Sequence, residues 1–70
     1  MQILVFKTDV RLKKDVNTVT QQLNSMQGII KWNFDLKDAD KILRIETNSL
    51  QPVIVERRLE QVGVYCRELE

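Results

Sequence analysis

The sequence has almost none of the residues that usually carry catalysis or hold a metal ion. Histidine is absent, and cysteine occurs once, at Cys66. A structural zinc site takes about four Cys or His ligands, so one chain cannot build it. Sites that pair a serine or cysteine nucleophile with an imidazole base are excluded as well. We therefore expect a protein that is not an enzyme, has no cofactor and has no internal disulfide.

Strong charge of either sign and long apolar runs are missing too. The net charge is +1, so no overall field attracts nucleic acid or an anionic membrane, and we expect neither as a partner. No apolar run approaches the ~20 residues of a membrane span. The segment from Met1 to Lys7 lacks the basic stretch and long apolar run of a signal peptide, which makes a cytoplasmic location the default expectation.

The residues that are present predict one small folded domain over positions 1–70. Hydrophobic residues make up 43% of the chain and charged residues 30%, a balance typical of globular proteins. A chain of this size buries only about 60% of its unfolded surface, so its core is marginal.

Hydrophobic periodicity in the first half predicts a strand, a helix and a second strand. The short apolar run from Ile3 to Phe6 favours a buried strand. Helical spacing then predicts a helix over 12–27, which Gly28 ends. Strict alternation over 30–36 predicts a half-buried strand. The helical stripe comprises Leu12, Val16, Val19, Leu23 and Met26; the apolar face of the strand comprises Ile30, Trp32, Phe34 and Leu36.

The second half predicts a strand, a helix and a last strand. A polar turn over 37–40 leads into an alternating strand over 42–47, and the short turn makes the two strands an antiparallel hairpin. Asn48 or Ser49 is a candidate helix cap, and Pro52 suits a first helical turn. Gly63 ends that helix, and residues 64–69 form the last strand. The order β-α-β-β-α-β predicts an α+β, ferredoxin-like fold: a four-stranded antiparallel sheet with both helices on one face.

Four parts of the chain share a pattern that spans nearly its whole length. They are Val19 and Leu23 on the first helix, Gly28-Ile29 after it, the strand segment from Trp32 to Leu36, and the segment from Leu59 to Gly63 at the end of the second helix. In this pattern the chain resembles heavy-metal-associated domains and copper chaperones. Their first helix begins with a Cys-x-x-Cys motif that follows a methionine, and it continues with a valine and a leucine. Gly-Val, a Val-x-Val-Asp-Leu strand and a final helix that ends in a small residue and glycine come after it.

The resemblance places Leu12 and Asp15 where the family has its two cysteines, and Val10 where it has the methionine. Copper(I) needs soft thiolate ligands, whereas leucine has no donor atom and aspartate supplies a hard oxygen. The resemblance therefore implies a domain of this family that has lost its metal site. We expect Cys66 to be a small, half-buried apolar residue of the last strand. The alternative is a reactive thiol, whose thiolate form the neighbouring Arg67 would favour.

Two surfaces are candidates for binding. Arg11, Lys13 and Lys14 gather at the start of the first helix, where unpaired amides and the helix dipole favour an anion or an acidic partner surface. The alternative is a solvated group of cations. The second candidate surface is the face of the sheet that the helices leave open. This face carries either Ile3 and Val5 or Leu4 and Phe6, and Tyr65 or Cys66 extends it. It is a candidate interface for a homodimer or for another partner.

Three functions are compatible with these observations. The first is a non-catalytic interaction module with a metal-associated-domain fold and no metal site. The second is a metal-handling protein that uses Cys66 across a dimer. The third is a small-ligand regulatory domain of another ferredoxin-like family.

Overall fold

The computed structural model describes residues 1–69 and contains six elements in the predicted order. They are β1 (Gln2–Thr8), α1 (Lys13–Ser25), β2 (Ile29–Asp35), β3 (Ile42–Thr47), α2 (Pro52–Gln61) and β4 (Cys66–Glu68). The strands form one antiparallel sheet in the order β2-β3-β1-β4. The predicted ferredoxin-like α+β fold is confirmed. No helix within residues 1–69 is long and apolar enough to cross a membrane.

The core lies between the two helices and one face of the sheet. On the central strands, Leu4 lies opposite Ile45 and Phe6 lies opposite Leu43. All four are buried and form one cluster with residues from both helices: Val19 and Leu23 of α1 and Val55 and Leu59 of α2. Since successive side chains of a strand alternate between faces, Ile3 and Val5 lie on the open face.

The predicted apolar face of β2 is only partly correct. Trp32 and Phe34 pack against the core, but Ile30 is 56% exposed and Leu36 is also exposed. The register against β3 shifts between Ile29 and Lys31, which is a β-bulge. An extra residue at a bulge changes which side chain faces inward, so Ile29 packs against the core in place of Ile30.

Helix α1 is shorter than the predicted span of 12–27. Leu12 has extended backbone angles (φ −100°, ψ 152°) and precedes the helix as its N-cap, so its side chain leaves the predicted stripe. The helix ends at Ser25, and Gly28 lies beyond it with φ +94°, a conformation that favours glycine.

Helix α2 begins at Pro52, as the missing amide of proline allows, but its N-cap is Gln51. The predicted caps, Asn48 and Ser49, lie before it. The amides of Ser49 and Leu50 donate instead to Oγ1 of the buried Thr47, at 3.3 and 3.0 Å. A local side-chain acceptor therefore holds this segment as a turn and delays the helix.

Strand β4 comprises three residues, where the sequence predicted six. The amide of Val64 donates to the carbonyl of Leu59 (2.9 Å), and the amide of Tyr65 donates to Oδ1 of Asp9 (3.0 Å). Because these donors are engaged elsewhere, residues 64 and 65 do not join the ladder with β1.

Candidate functional site at the start of helix α1

The loop between β1 and α1 is fixed on three sides. Val10 is buried in the core, with 1% of its surface exposed. The Thr8 hydroxyl accepts a hydrogen bond from the Val10 amide (3.3 Å) and donates to the Lys41 carbonyl (2.7 Å). On the other side, the Asp9 carboxylate accepts the Tyr65 amide. The loop is thus joined to the β2–β3 turn and to the segment before β4, and it holds the helix start in one place.

Leu12 and Asp15, at the two positions that the resemblance assigns to metal ligands, lie one turn apart at this helix start. Leu12 is the N-cap, and Asp15 is the third helical residue. The Asp15 carboxylate accepts the Leu12 amide at 3.3 Å, which supplies one half of a capping box. The leucine side chain has no acceptor for the other half, and it is 55% exposed.

The cations Arg11, Lys13 and Lys14 surround Leu12 and are all exposed. In the described part of the chain the ion pair present is Arg67–Glu60, so none of the three is in an ion pair there. Their charge adds to the positive end of the helix dipole. The helix start therefore presents an apolar side chain surrounded by positive charge.

Cys66 pairs with Thr8 at the end of β1, close to this loop, but its side chain faces the core. It has no exposed surface and belongs to the core cluster on the inner face of the sheet. Burial, with Glu56 as the next contributor, raises the pKa of the Cys66 thiol to about 12, although Arg67 acts in the opposite direction. The thiol is protonated at neutral pH, and a reagent or a partner's metal has no direct access to it.

Cys66 should make the domain less stable at alkaline pH. In the unfolded chain the thiol titrates near 9.0, whereas in the folded chain it keeps its proton to about 12. Its stabilising contribution is therefore complete below the unfolded pKa and decreases as the pH rises between those two values. The decrease is at most about 1.4 kcal/mol per pH unit.

Urea unfolding at about pH 8 and about pH 10.5 measures this effect. The free energy of unfolding of the wild type should fall toward that of Cys66→Ala as the pH rises. This variant is the control for every other group that titrates in that range. A difference between the two proteins that does not change with pH would contradict a buried, protonated thiol.

A groove that the sequence did not predict lies at the opposite end of α1. It has a volume of about 310 Å³ and is lined by Leu23, Met26, Ile30 and Trp32, among others. The Trp32 indole nitrogen donates to the Asn24 side chain at its rim, at 3.3 Å. The bulge in β2 turns Ile30 outward and helps to form this groove. No pattern in the sequence predicts the bulge, so the groove was not predictable either.

The residues at the helix start do not fit a copper(I) ion. Leu12 offers no donor atom, and Asp15 offers a hard oxygen that already accepts a backbone amide. Among residues 1–69, no group of three or more His, Cys, Asp or Glu side chains is placed to hold a metal ion. No second thiol is present, because Cys66 is the single cysteine of the chain.

No family model matches the sequence, and no curated protein sequence matches it. Solved structures do match in shape. The yeast copper transporter domain Ccc2a has a TM-score of 0.84 at 15% identity, covering 100% of this chain and 97% of that one. The N-terminal domain of PacS from Synechocystis has a TM-score of 0.83 at 14% identity, covering 100% of both chains.

A chain of the Atx1–Cu(I)–Ccc2a complex has a TM-score of 0.81 at 17% identity, covering 100% of this chain and 97% of that one. These likenesses extend over the whole domain, and at such low identity they establish its architecture. They confirm, for the fold, the resemblance that the sequence indicated. The chain has the fold of the heavy-metal-associated copper domains, built without their Cys-x-x-Cys motif.

Proposed function

We propose that this domain is a non-catalytic protein-interaction module that binds an acidic partner surface through the start of helix α1. One observation carries the proposal: Leu12 is exposed at the helix start and is surrounded by the exposed cations Arg11, Lys13 and Lys14. This is a surface that can bind a protein, and it has no atoms that bind copper(I).

An acidic partner fits this surface for two physical reasons. The amides of the first helical turn and the helix dipole favour a carboxylate at this end, and the three cations extend the positive field around it. Burial of Leu12 against the partner then contributes at about 25 cal/mol for each Å² of apolar surface removed from water. An apolar centre with a charged rim is the usual arrangement of a protein interface.

The fold also supports a binding role. One of the structures with this fold is a chain of a complex between Atx1 and Ccc2a that includes Cu(I). In this chain, hydrogen bonds of Thr8 and Asp9 hold the loop that precedes Leu12 and the cations. Because the helix start is already ordered, binding a partner costs little conformational entropy there.

The alternative of metal handling through Cys66 has less support. That role needs a thiolate within reach of a second chain, whereas Cys66 is fully buried and the pKa of its thiol is about 12. A thiol that keeps its proton is a poor ligand.

Titration of the domain with an acidic peptide, such as a deca-glutamate, tests the proposal. Amide signals of residues 9–15 should shift in NMR spectra, and added salt should weaken the effect because the attraction is electrostatic. The variant Lys13→Glu/Lys14→Glu should remove the shifts. Arg57→Glu/Arg58→Glu on α2 is the matched control and should keep them. Unmoved signals in the wild type, or equal losses in both variants, would contradict an acidic-partner site at this helix.

A further inference from the structure

The two edges of the sheet differ in how their outward backbone groups are protected. At the β4 edge, the amide of Glu68 donates to the Glu56 carboxylate (2.8 Å), and the carbonyl of Cys66 accepts from the Arg67 guanidinium (3.0 Å). Side chains thus cover one outward amide and one outward carbonyl of a strand that is only three residues long. Such covering prevents another strand from pairing there.

The β2 edge has no such covering. This strand is seven residues long. Within the described chain, the backbone groups of residues 30–34 make no hydrogen bond outside the β2–β3 ladder. The bulge affects only the segment from Ile29 to Lys31, and residues 31–35 pair with β3 in an unbroken register. A straight edge of five residues therefore has free donors and acceptors, which is a template for an added strand.

We propose that this edge pairs with the β2 strand of a second copy of the chain, antiparallel, with the two-fold axis at Asn33. In this register Lys31 of each copy lies opposite Asp35 of the other, and Asn33 faces its own counterpart. Asn33 is the middle residue of the straight segment 31–35, so all five residues of the segment pair with the second copy. The result is one continuous sheet of eight strands.

Charge selects this register over its neighbours. An axis at Phe34 would place Lys31 opposite Lys37 of the other copy, and like charges opposite each other destabilise a strand pair. An axis at Trp32 would place Lys31 opposite Asn33 and leave Asp35 opposite Ile29. Only the axis at Asn33 gives two ion pairs, because antiparallel symmetry forms each pair twice.

The partly exposed apolar side chains in and next to β2 also favour pairing at this edge. Trp32 and Phe34 are half-buried and pack edge to face, with ring centroids 5.9 Å apart. In the proposed register Trp32 lies opposite Phe34 of the second copy, so four aromatic rings meet on the helix side. The exposed Ile30, in the bulge before the straight segment, and Leu36, directly after β2, lie next to the paired residues. Pairing would therefore cover the exposed apolar side chains of this strand and part of the groove beside it.

This inference goes beyond the proposed function and does not depend on it. Leu12 and the cations lie at the start of α1, whereas the β2 edge is next to the end of that helix. A dimer formed through β2 would leave both helix starts free for a partner. It also differs from a dimer through the open face, where Ile3 would be at the centre.

A charge-swap experiment tests the pairing by sedimentation over a range of concentrations. The wild type should associate as a dimer. Lys31→Asp places two carboxylates opposite each other, and Asp35→Lys places two ammonium groups opposite each other, so each variant alone should dimerise about tenfold or more weakly. An equal mixture of the two variants should form a heterodimer, since both opposed positions then carry opposite charges.

The double variant Lys31→Asp/Asp35→Lys restores both pairs within one chain and should dimerise like the wild type. Circular dichroism checks that every variant folds. Association that Ile3→Glu abolishes while the charge swaps leave it unchanged would overturn the proposal in favour of the open face. A wild type that stays monomeric at millimolar concentration would overturn it as well.

Discussion

Replacing Leu12 and Asp15 together by cysteine should give a domain that binds one copper(I) ion per chain, where the wild type binds none. The two positions are the N-cap and the third residue of α1, and the Asp15 side chain already reaches the amide of residue 12 at 3.3 Å. Two thiols introduced there would converge. Soft thiolates select copper(I), and a helix N-terminus with neighbouring cations favours the thiolate form.

The surrounding charge does not prevent this binding. Arg11, Lys13 and Lys14 repel a bare cation, but a copper(I) ion held by two thiolates carries a net negative charge. The cations and the helix dipole therefore stabilise the loaded site.

Competition with a chromogenic copper(I) chelator, in the presence of a reductant, measures the affinity of the double cysteine variant. The control is Leu12→Ser/Asp15→Ser, which removes the same side chains and supplies no sulfur. Both variants lose the hydrogen bond from the Leu12 amide to Asp15, at a cost of about 1 kcal/mol in stability, and in the serine variant a hydroxyl at the N-cap offsets part of that cost. If the cysteine variant competes no better than the serine variant, the helix start does not hold its two side chains as the structure shows.

The second large effect is expected in the core. Phe6 has no exposed surface and lies at the centre of the sheet, opposite Leu43. Phe6→Ala should lower the free energy of unfolding by about 3–5 kcal/mol, because it removes apolar contacts and leaves a cavity. A domain of this length has a total stability of roughly 4–10 kcal/mol. The variant should therefore lose at least about a third of the total stability of the domain.

The matched control for Phe6→Ala is Ile3→Ala on the same strand. Ile3 is 59% exposed on the open face, so its truncation should change stability by no more than about 0.5 kcal/mol. Urea unfolding followed by circular dichroism measures both variants. Similar losses for the two variants would mean that the helices do not cover the face that carries Phe6.

The element order was predictable from the sequence because each element has its own period. The stripe of Val19 and Leu23 marks a helix, and the alternation around Leu43 and Ile45 marks a strand; both pairs are buried as predicted. The choice between the two faces of β1 was not predictable. Ile3 and Val5 are as apolar as Leu4 and Phe6, and only the packing of the helices decides which pair is inside.

The details that the sequence missed depend on backbone hydrogen bonds between distant segments. The bulge that turns Ile30 outward arises from the register between β2 and β3. The short β4 arises because the amide of Tyr65 bonds to Asp9, 56 positions away. Helix periodicity placed Leu12 on the buried stripe, but its extended backbone removes it from the helix. Its exposure, on which the proposed function depends, could be read only from the structure.

The candidate site was predictable in position but not in form. The resemblance aligned residues 9–15 with the metal loop of that family, and the cations are visible in the sequence. Whether they are exposed or paired depends on where the nearby carboxylates point. Asp9 and Asp15 accept hydrogen bonds from backbone amides. Within residues 1–69 the three cations therefore form no ion pair with these carboxylates.

Titration of the wild-type domain with copper(I), and separately with zinc(II), tests most directly whether this fold functions without a metal site. The titration is done under reducing conditions and followed by native mass spectrometry. We expect that the mass of the folded domain does not increase, because the helix start has no soft donor and the Cys66 thiol is buried and protonated. One tightly held metal ion per chain, or one per dimer, would contradict it.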